Sequence, residues 1–263
     1  MISLYWVYDI PNCLFALLCI GVFVAFGLLG LPLTRTFVRR VHLVDHSHNE
    51  IVGFYLAAVT VFYGITLGLV AVGTWTNYSA VQDRVDHEAQ TLASLYRDVD
   101  GYPEPYRTRM TDDLKSYARE VIYSSWPEQR RGIIPVGTDA IMTKIQRELF
   151  AYRPADLGEQ VLQAQALETF NRLGEARRAR IDSIYMSLSP ALWWMVILGA
   201  LTCIVVTFFF DMRSPSMHRW MTGLMGGLLG LMIFLIAVLD NPFRGKVSVE
   251  PESMERVYEV VMK

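Results

Sequence analysis

Charge is sparse in this sequence. Charged residues make up 19% of its 263 positions, against about 25% in an ordinary soluble domain. There is no long basic run, and the formal net charge is −2, which excludes nucleic acid as an expected partner. Cysteine occurs three times, at Cys13, Cys19 and Cys203, each inside an apolar stretch. No disulfide framework and no zinc-type spacing can be read from that set. The sequence also lacks a Walker loop, Gly-x-Ser-x-Gly, His-Glu-x-x-His and Cys-x-x-Cys, so it carries no enzyme signature and no cofactor is expected. What it has in excess is apolar surface: 52% hydrophobic residues and a mean hydropathy of +0.28. Disorder, collagen and small disulfide scaffolds are excluded by that composition.

The charges are also unevenly placed. Between Asn77 and Pro190 lie 15 Lys/Arg and 17 Asp/Glu, leaving nine of each elsewhere. Four charge-free stretches are long enough to cross roughly 30 Å of hydrocarbon as helices, which takes about 20 residues. They run over about 10–34, 51–75, 190–210 and 220–239. The first reads as a span rather than a cleavable signal, because no Lys or Arg precedes it and Arg35, Arg39 and Arg40 follow it. Trp6, Tyr8, Trp75, Tyr78, Trp193, Trp194 and Trp220 fall near span ends, where amphipathic rings favour the headgroup layer. The expected fold is therefore an all-α membrane protein of four transmembrane helices. Membrane parts at 1–76 and 190–245 flank a helical-bundle insert at 77–189, and a polar tail occupies 246–263.

Four crossings place the N-terminus, the insert and the tail on one side and the loops 35–50 and 211–219 on the other. The short loops carry Arg35, Arg39, Arg40, Arg213 and Arg219, and counting them makes the loop side cytoplasmic. Against this, Arg172, Arg177, Arg178 and Arg180 precede the third span and Arg244 and Lys246 follow the fourth. The side therefore stays open.

Within the insert the spacing is helical. Val81, Val85, Ala89, Leu92 and Tyr96 follow steps of four and three, one stripe of a helix. That helix continues the second span and stops at Gly101 and Pro103. A second helix is expected from about Glu104 to Pro127, and a third over about Thr138 to Tyr152. A fourth is expected from near Ala155 towards Pro190, running into the third span. The tail offers one further helix, Glu252 to Met262.

Several groups of residues suit a function. On the second span Tyr55, Val59, Tyr63, Thr66, Val70 and Thr74 form a stripe of hydroxyl and apolar groups. Such a lining passes ions and gates by dewetting; packing, with the hydroxyls bonded to nearby carbonyls, is the other reading. Gly53, Ala57, Thr60, Gly64 and Gly68 form a small-residue stripe suited to close helix approach. Gly223, Gly226, Gly227 and Gly230 do the same on the fourth span, with GxxxG spacing at 223–227 and 226–230. At that span's exit, Asp240 and Arg244 are candidates for a pathway mouth or for capping and anchoring. His42, Asp45, His46, His48 and Glu50, with Asp211 and His218 on the same side, have the chemistry of a metal site or a pH sensor, though the spacing matches no zinc signature.

Longer motifs carry a resemblance. HNEIVGFYLAAVTVFYGITLGLVAVGTW (His48 to Trp75) resembles the second span of the bestrophin-like family of four-span membrane proteins. EAQTLASLYR (Glu88 to Arg97), YAREVIYSSWP (Tyr117 to Pro127), RRARIDSIYMSLSPALWW (Arg177 to Trp194) and LDNPFRG (Leu239 to Gly245) resemble its further motifs in order. The resemblance covers about residues 10 to 250. It implies distant kinship with bestrophins: homopentameric anion channels with four spans per subunit and a neck lined by the second span. It also implies residence in a bacterial inner or plasma membrane. Two features depart from bestrophins. No acidic Ca²⁺-clasp run is present, and the short-loop arginines would place the insert outside. No pore residue is carried over position by position.

Three functions stay open on this reading. The first is a homo-oligomeric ion channel or pore lined by the second span, with anion conduction implied by the resemblance. The second is a non-transporting membrane interaction or sensory protein whose insert binds a partner. The third is a metal-dependent membrane enzyme using the loop histidines. The expected partners are the lipid bilayer, further copies of the chain and inorganic ions.

Overall fold

The computed structural model describes residues 10–41 and 48–263, with side chains at all of these except 36–41. It is helical throughout, with no strand among the described residues. Four helices are long and apolar enough to cross a membrane. These are α1 (Asn12–Val41), α2 (His48–Asp100), α7 (Pro190–Thr207) and α8 (Pro215–Asp240). Between α2 and α7 lie α3 (Tyr106–Glu120), α4 (Trp126–Arg130), α5 (Gly137–Ala151) and α6 (Leu157–Asp182); α9 (Glu252–Arg256) follows α8. The chain divides into two compact units. The first holds the chain to Thr76, Ser187–Asn241 and Gly245–Val247; the second holds Asn77–Met186, Pro242–Arg244 and Ser248–Lys263.

In the first unit α1 and α8 lie against each other, and glycine makes the approach possible. A Cβ on Gly226 would stand 2.9 Å from the Phe23 carbonyl oxygen, and one on Gly230 would stand 2.7 Å from the Ile20 Cα. The backbones therefore meet where a larger residue would hold them apart. Both α7 and α8 begin with the same device. Ser189 and Ser214 accept at 3.4 Å from the amides of Leu192 and Met217, and a proline occupies the first helical position behind each. Serine satisfies a free amide there, and proline has none to lose. Val196, Ala200, Cys203 and Ile204 of α7 are fully buried among Phe23 and Leu31 of α1 and Leu229, Ile233 and Ile236 of α8.

The second unit is a helical bundle around one core. Val81, Val85, Ala89 and Leu92, the stripe expected from spacing, are buried with Leu95 and Val99 against Met110, Leu114, Tyr117, Ile145, Leu149 and Leu173. Two expectations need correction. Pro127 does not end a helix: α3 passes through a wider five-residue turn, Val121–Ser125, into α4, and Pro127 sits in the first turn of α4. The wide turn shifts the hydrogen-bond register just before Pro127, where the Trp126 amide bonds to the Val121 carbonyl, so the proline is accommodated without ending the helix. Nor does the last insert helix run on into the third span. It stops at Asp182, a tight turn follows at Ser183–Tyr185, and Ser189 caps a separate helix. The second span does continue as expected, one helix from His48 to Asp100.

Candidate functional site

In the first unit α2 is covered far less than its neighbours. Within the best membrane-spanning window, 17% of α2 is buried, against 28% for α1, 33% for α7 and 50% for α8. Its one packed edge is the stripe that sequence spacing selected. Tyr63 is buried, and its hydroxyl donates to the Val196 carbonyl of α7 at 2.8 Å. Gly199 makes the seat for that ring, since a Cβ there would stand 2.3 Å from Tyr63 Cδ2. Leu67, Val70 and Thr74 are buried along the same edge, and Thr74 donates to the carbonyls of Val70 and Ala71. Tyr63, Val70 and Thr74 therefore pack within the chain. A tyrosine hydroxyl reads from sequence as a pathway group, yet here it repairs a buried carbonyl. Val59 and Thr66 lie half-buried at the rim of this edge, and Tyr55 is exposed.

The rest of α2 faces outward. A Cβ on Gly53, Gly64, Gly68 or Gly73 would meet nothing within 4 Å. Opposite Tyr63 lie Phe54, Val61, Ile65 and Val72, all exposed, at spacings of seven, four and seven that keep them on one line of the helix. The span hydroxyls do not point into this line as free groups. Thr60 donates to the carbonyls of Leu56 and Ala57, and Thr66 donates to that of Phe62.

The glycines of α8 separate into two kinds. Gly226 and Gly230 make the contact with α1, whereas Gly223 meets nothing within 4 Å and Gly227 only the Val24 side chain at 3.9 Å. Asp240, the last residue of α8, is buried and accepts from the Leu188 amide at 2.5 Å and the Trp193 indole N–H at 2.9 Å. It thus ties the end of α8 to the start of α7. Arg244 reaches Gly132 in the second unit, where its Nη2 would stand 2.1 Å from an added Cβ. Gly132 takes φ 74°, a region open to glycine.

The loop histidines do not assemble as a metal site among the described residues, where no cluster of three metal-ligating side chains occurs. His42, Asp45 and His46 lie outside the described residues. The Nε2–H of His48 donates to the Phe209 carbonyl and that of His218 to the Thr207 carbonyl, each at 2.8 Å. Asn49 completes the join: its amide donates to the Asp211 carbonyl and its oxygen accepts from the Asp211 amide, both at 2.9 Å. These groups fasten the start of α2 to the α7–α8 connection.

In the second unit sequence reasoning missed a buried ionic centre. The guanidinium of Arg180 holds both oxygens of Glu88, with neither side chain exposed to solvent. The Tyr117 hydroxyl donates to Glu88 Oε1 at 2.6 Å, and the Arg180 guanidinium carbon lies 5.8 Å from the Trp126 ring centre. Burial, followed by the Glu88 charge, pushes the Tyr117 hydroxyl well above its ordinary range. Burial opposes the Arg180 charge, but attraction to Glu88 outweighs it and holds the guanidinium protonated.

The Bestrophin-like domain model matches residues 21–254. A mutated bacterial bestrophin homologue from Klebsiella pneumoniae superposes with a TM-score of 0.70 at 11% identity, covering 94% of this chain and 97% of that one. A second mutated form gives 0.68 at 12% identity with the same coverage, and a crystal structure of a membrane protein gives 0.68 at 10% identity. At such identities the likeness shows a shared fold. Comparison with curated proteins gives no match.

Proposed function

The chain belongs to the bestrophin-like family, and from that premise we propose that it is a homo-oligomeric ion channel whose pathway runs between the outward faces of α2. The observation that carries this reading is the sparse cover on α2, which is 17% buried across its spanning window. A helix packed along one edge has three sides left for neighbouring copies, lipid and a pathway. Gly64 and Gly68, with no side chain and nothing near, let copies approach closely. Phe54, Val61, Ile65 and Val72 then form the constriction, an apolar line that gates by dewetting. Of the residues singled out in the sequence, Tyr55, Val59 and Thr66 lie nearer the Tyr63 edge than this line. Anions are the proposed cargo, as the family resemblance implies. A ring of five is the stoichiometry that the family resemblance implies.

Flux from proteoliposomes tests this. Chloride efflux is expected from the wild type, and Ile65→Arg is expected to change anion selectivity or conductance while the oligomer is retained. A folded monomer with no flux would overturn the channel reading. It would move attention to the second unit as a partner-binding surface.

A further inference from the structure

The first unit carries a second feature that the channel reading does not use. An apolar groove of about 710 Å³ runs between α1 and α8, walled by Ile20, Val24 and Leu28 on one side and Leu224 and Leu228 on the other. Its floor is Gly223 and Gly227. The wall residues of α1 recur every fourth position, so the groove follows the helix axis. At one end it reaches Ser216, Arg219 and Trp220. There it adjoins a second pocket of about 410 Å³, with which it shares Leu28 and Arg219. That pocket adds Arg35, His218 and Asp211.

We propose that this paired groove and pocket hold one anionic phospholipid, its acyl chain over Gly223 and Gly227 and its phosphate at Arg35 and Arg219. The apolar part lies within two membrane-spanning helices. The charged part lies at the start of α8, where Pro215 opens the helix and the helix dipole adds positive potential. Among the described lining residues, Arg35 and Arg219 outnumber the one carboxylate, Asp211, so the pocket favours an anion. Guanidinium binds phosphate with two parallel hydrogen bonds, and basic pockets between spanning helices suit lipid headgroups. Trp220 is exposed at this end, in the position an indole takes at the headgroup layer. A neighbouring protein helix fits less well. At one end the groove opens onto charge rather than closing on further apolar surface.

The site is independent of the conduction reading, and its test reads lipid, not current. Full-length protein is purified in mild detergent from membranes containing phosphatidylglycerol and phosphatidylethanolamine, and retained lipid is measured by native mass spectrometry. The wild type is expected to keep phosphatidylglycerol at one per subunit. Gly227→Leu fills the floor without meeting backbone, and it is expected to lose the retained lipid. Arg35→Gln with Arg219→Gln is expected to lower phosphatidylglycerol retention about tenfold or more, the scale of a lost charged hydrogen bond, while phosphatidylethanolamine still binds. Retention unchanged in Gly227→Leu would overturn the site. So would equal retention of both lipids by the wild type, or inorganic phosphate displacing phosphatidylglycerol as well as free lipid does. Efficient cross-linking of Leu224→Cys between copies would assign the groove to a second chain and also overturn it.

Discussion

Glu88 and Arg180 stand 92 positions apart in the chain and meet where neither has any exposed surface. Removing one partner leaves the other charged and unpaired in the core, which costs about 3–5 kcal/mol. Glu88→Ala and Arg180→Ala are each expected to destabilise the second unit by that order. Replacing both with Met is expected to cost less than the sum, because no charge is left buried. Denaturant unfolding followed by tryptophan fluorescence, with Trp126 close to the pair, measures all three.

Tyr63 and Gly199 give a second prediction. The hydroxyl of Tyr63 serves a buried carbonyl, so Tyr63→Phe is expected to lose about 1 kcal/mol. Gly199→Ala places a methyl group 2.3 Å from the ring, and the tyrosine must leave its seat. A larger fall in thermal stability is expected for Gly199→Ala than for Tyr63→Phe. An unchanged Gly199→Ala protein would place Tyr63 elsewhere.

The α8 glycines separate by position. Gly230→Ala drives a methyl group to 2.7 Å from the Ile20 Cα, a clash with backbone that no rotamer change relieves. Gly223→Ala meets open space. Thermal scans of the two variants are expected to show a marked drop for the first and little change for the second.

Alkaline pH addresses the second unit through Tyr102 and Tyr152, whose rings lie 4.7 Å apart. Burial, then the charges of Tyr152 and Asp98, raises the Tyr102 hydroxyl to about 12, and burial, then the hydrogen bond to Glu159, raises that of Tyr152 to about 12. In the unfolded chain a tyrosine titrates near pH 10. The folded state thus holds these protons more tightly. The stability they contribute is complete below about pH 10 and is lost as pH rises from there through about 12. Absorbance of tyrosinate in Tyr102→Phe and Tyr152→Phe, subtracted from wild type, is expected to show the missing groups ionising about two units late.

Much of this architecture is legible in the sequence. Charge-free length marks the four spans, and the step of four and three from Val81 to Leu92 marks the core edge of the helix that continues the second. The buried ion pair was visible in the same arithmetic. Glu88 falls on the stripe of Val85 and Leu92, and Arg180 lies seven residues beyond Leu173, so each is a charge on an apolar line. On α2 periodicity finds a face but not its neighbour. Tyr63, Val70 and Thr74 mark an edge that α7 covers, and only Val196 and Gly199 identify that cover. Likewise GxxxG spacing occurs twice on α8, and nothing in the spacing tells Gly226 and Gly230, which meet α1, from Gly223 and Gly227, which line a groove. The wide turn at 121–125 was hidden because Pro127 reads as a stop unless the preceding turn has already shifted the hydrogen-bond register.

Particle imaging of the full-length protein in mild detergent tests the central claim most directly. The account predicts a closed ring of copies with α2 innermost and Phe54, Val61, Ile65 and Val72 turned towards the axis. A monomer, or a two-fold dimer with no axial opening, would contradict it.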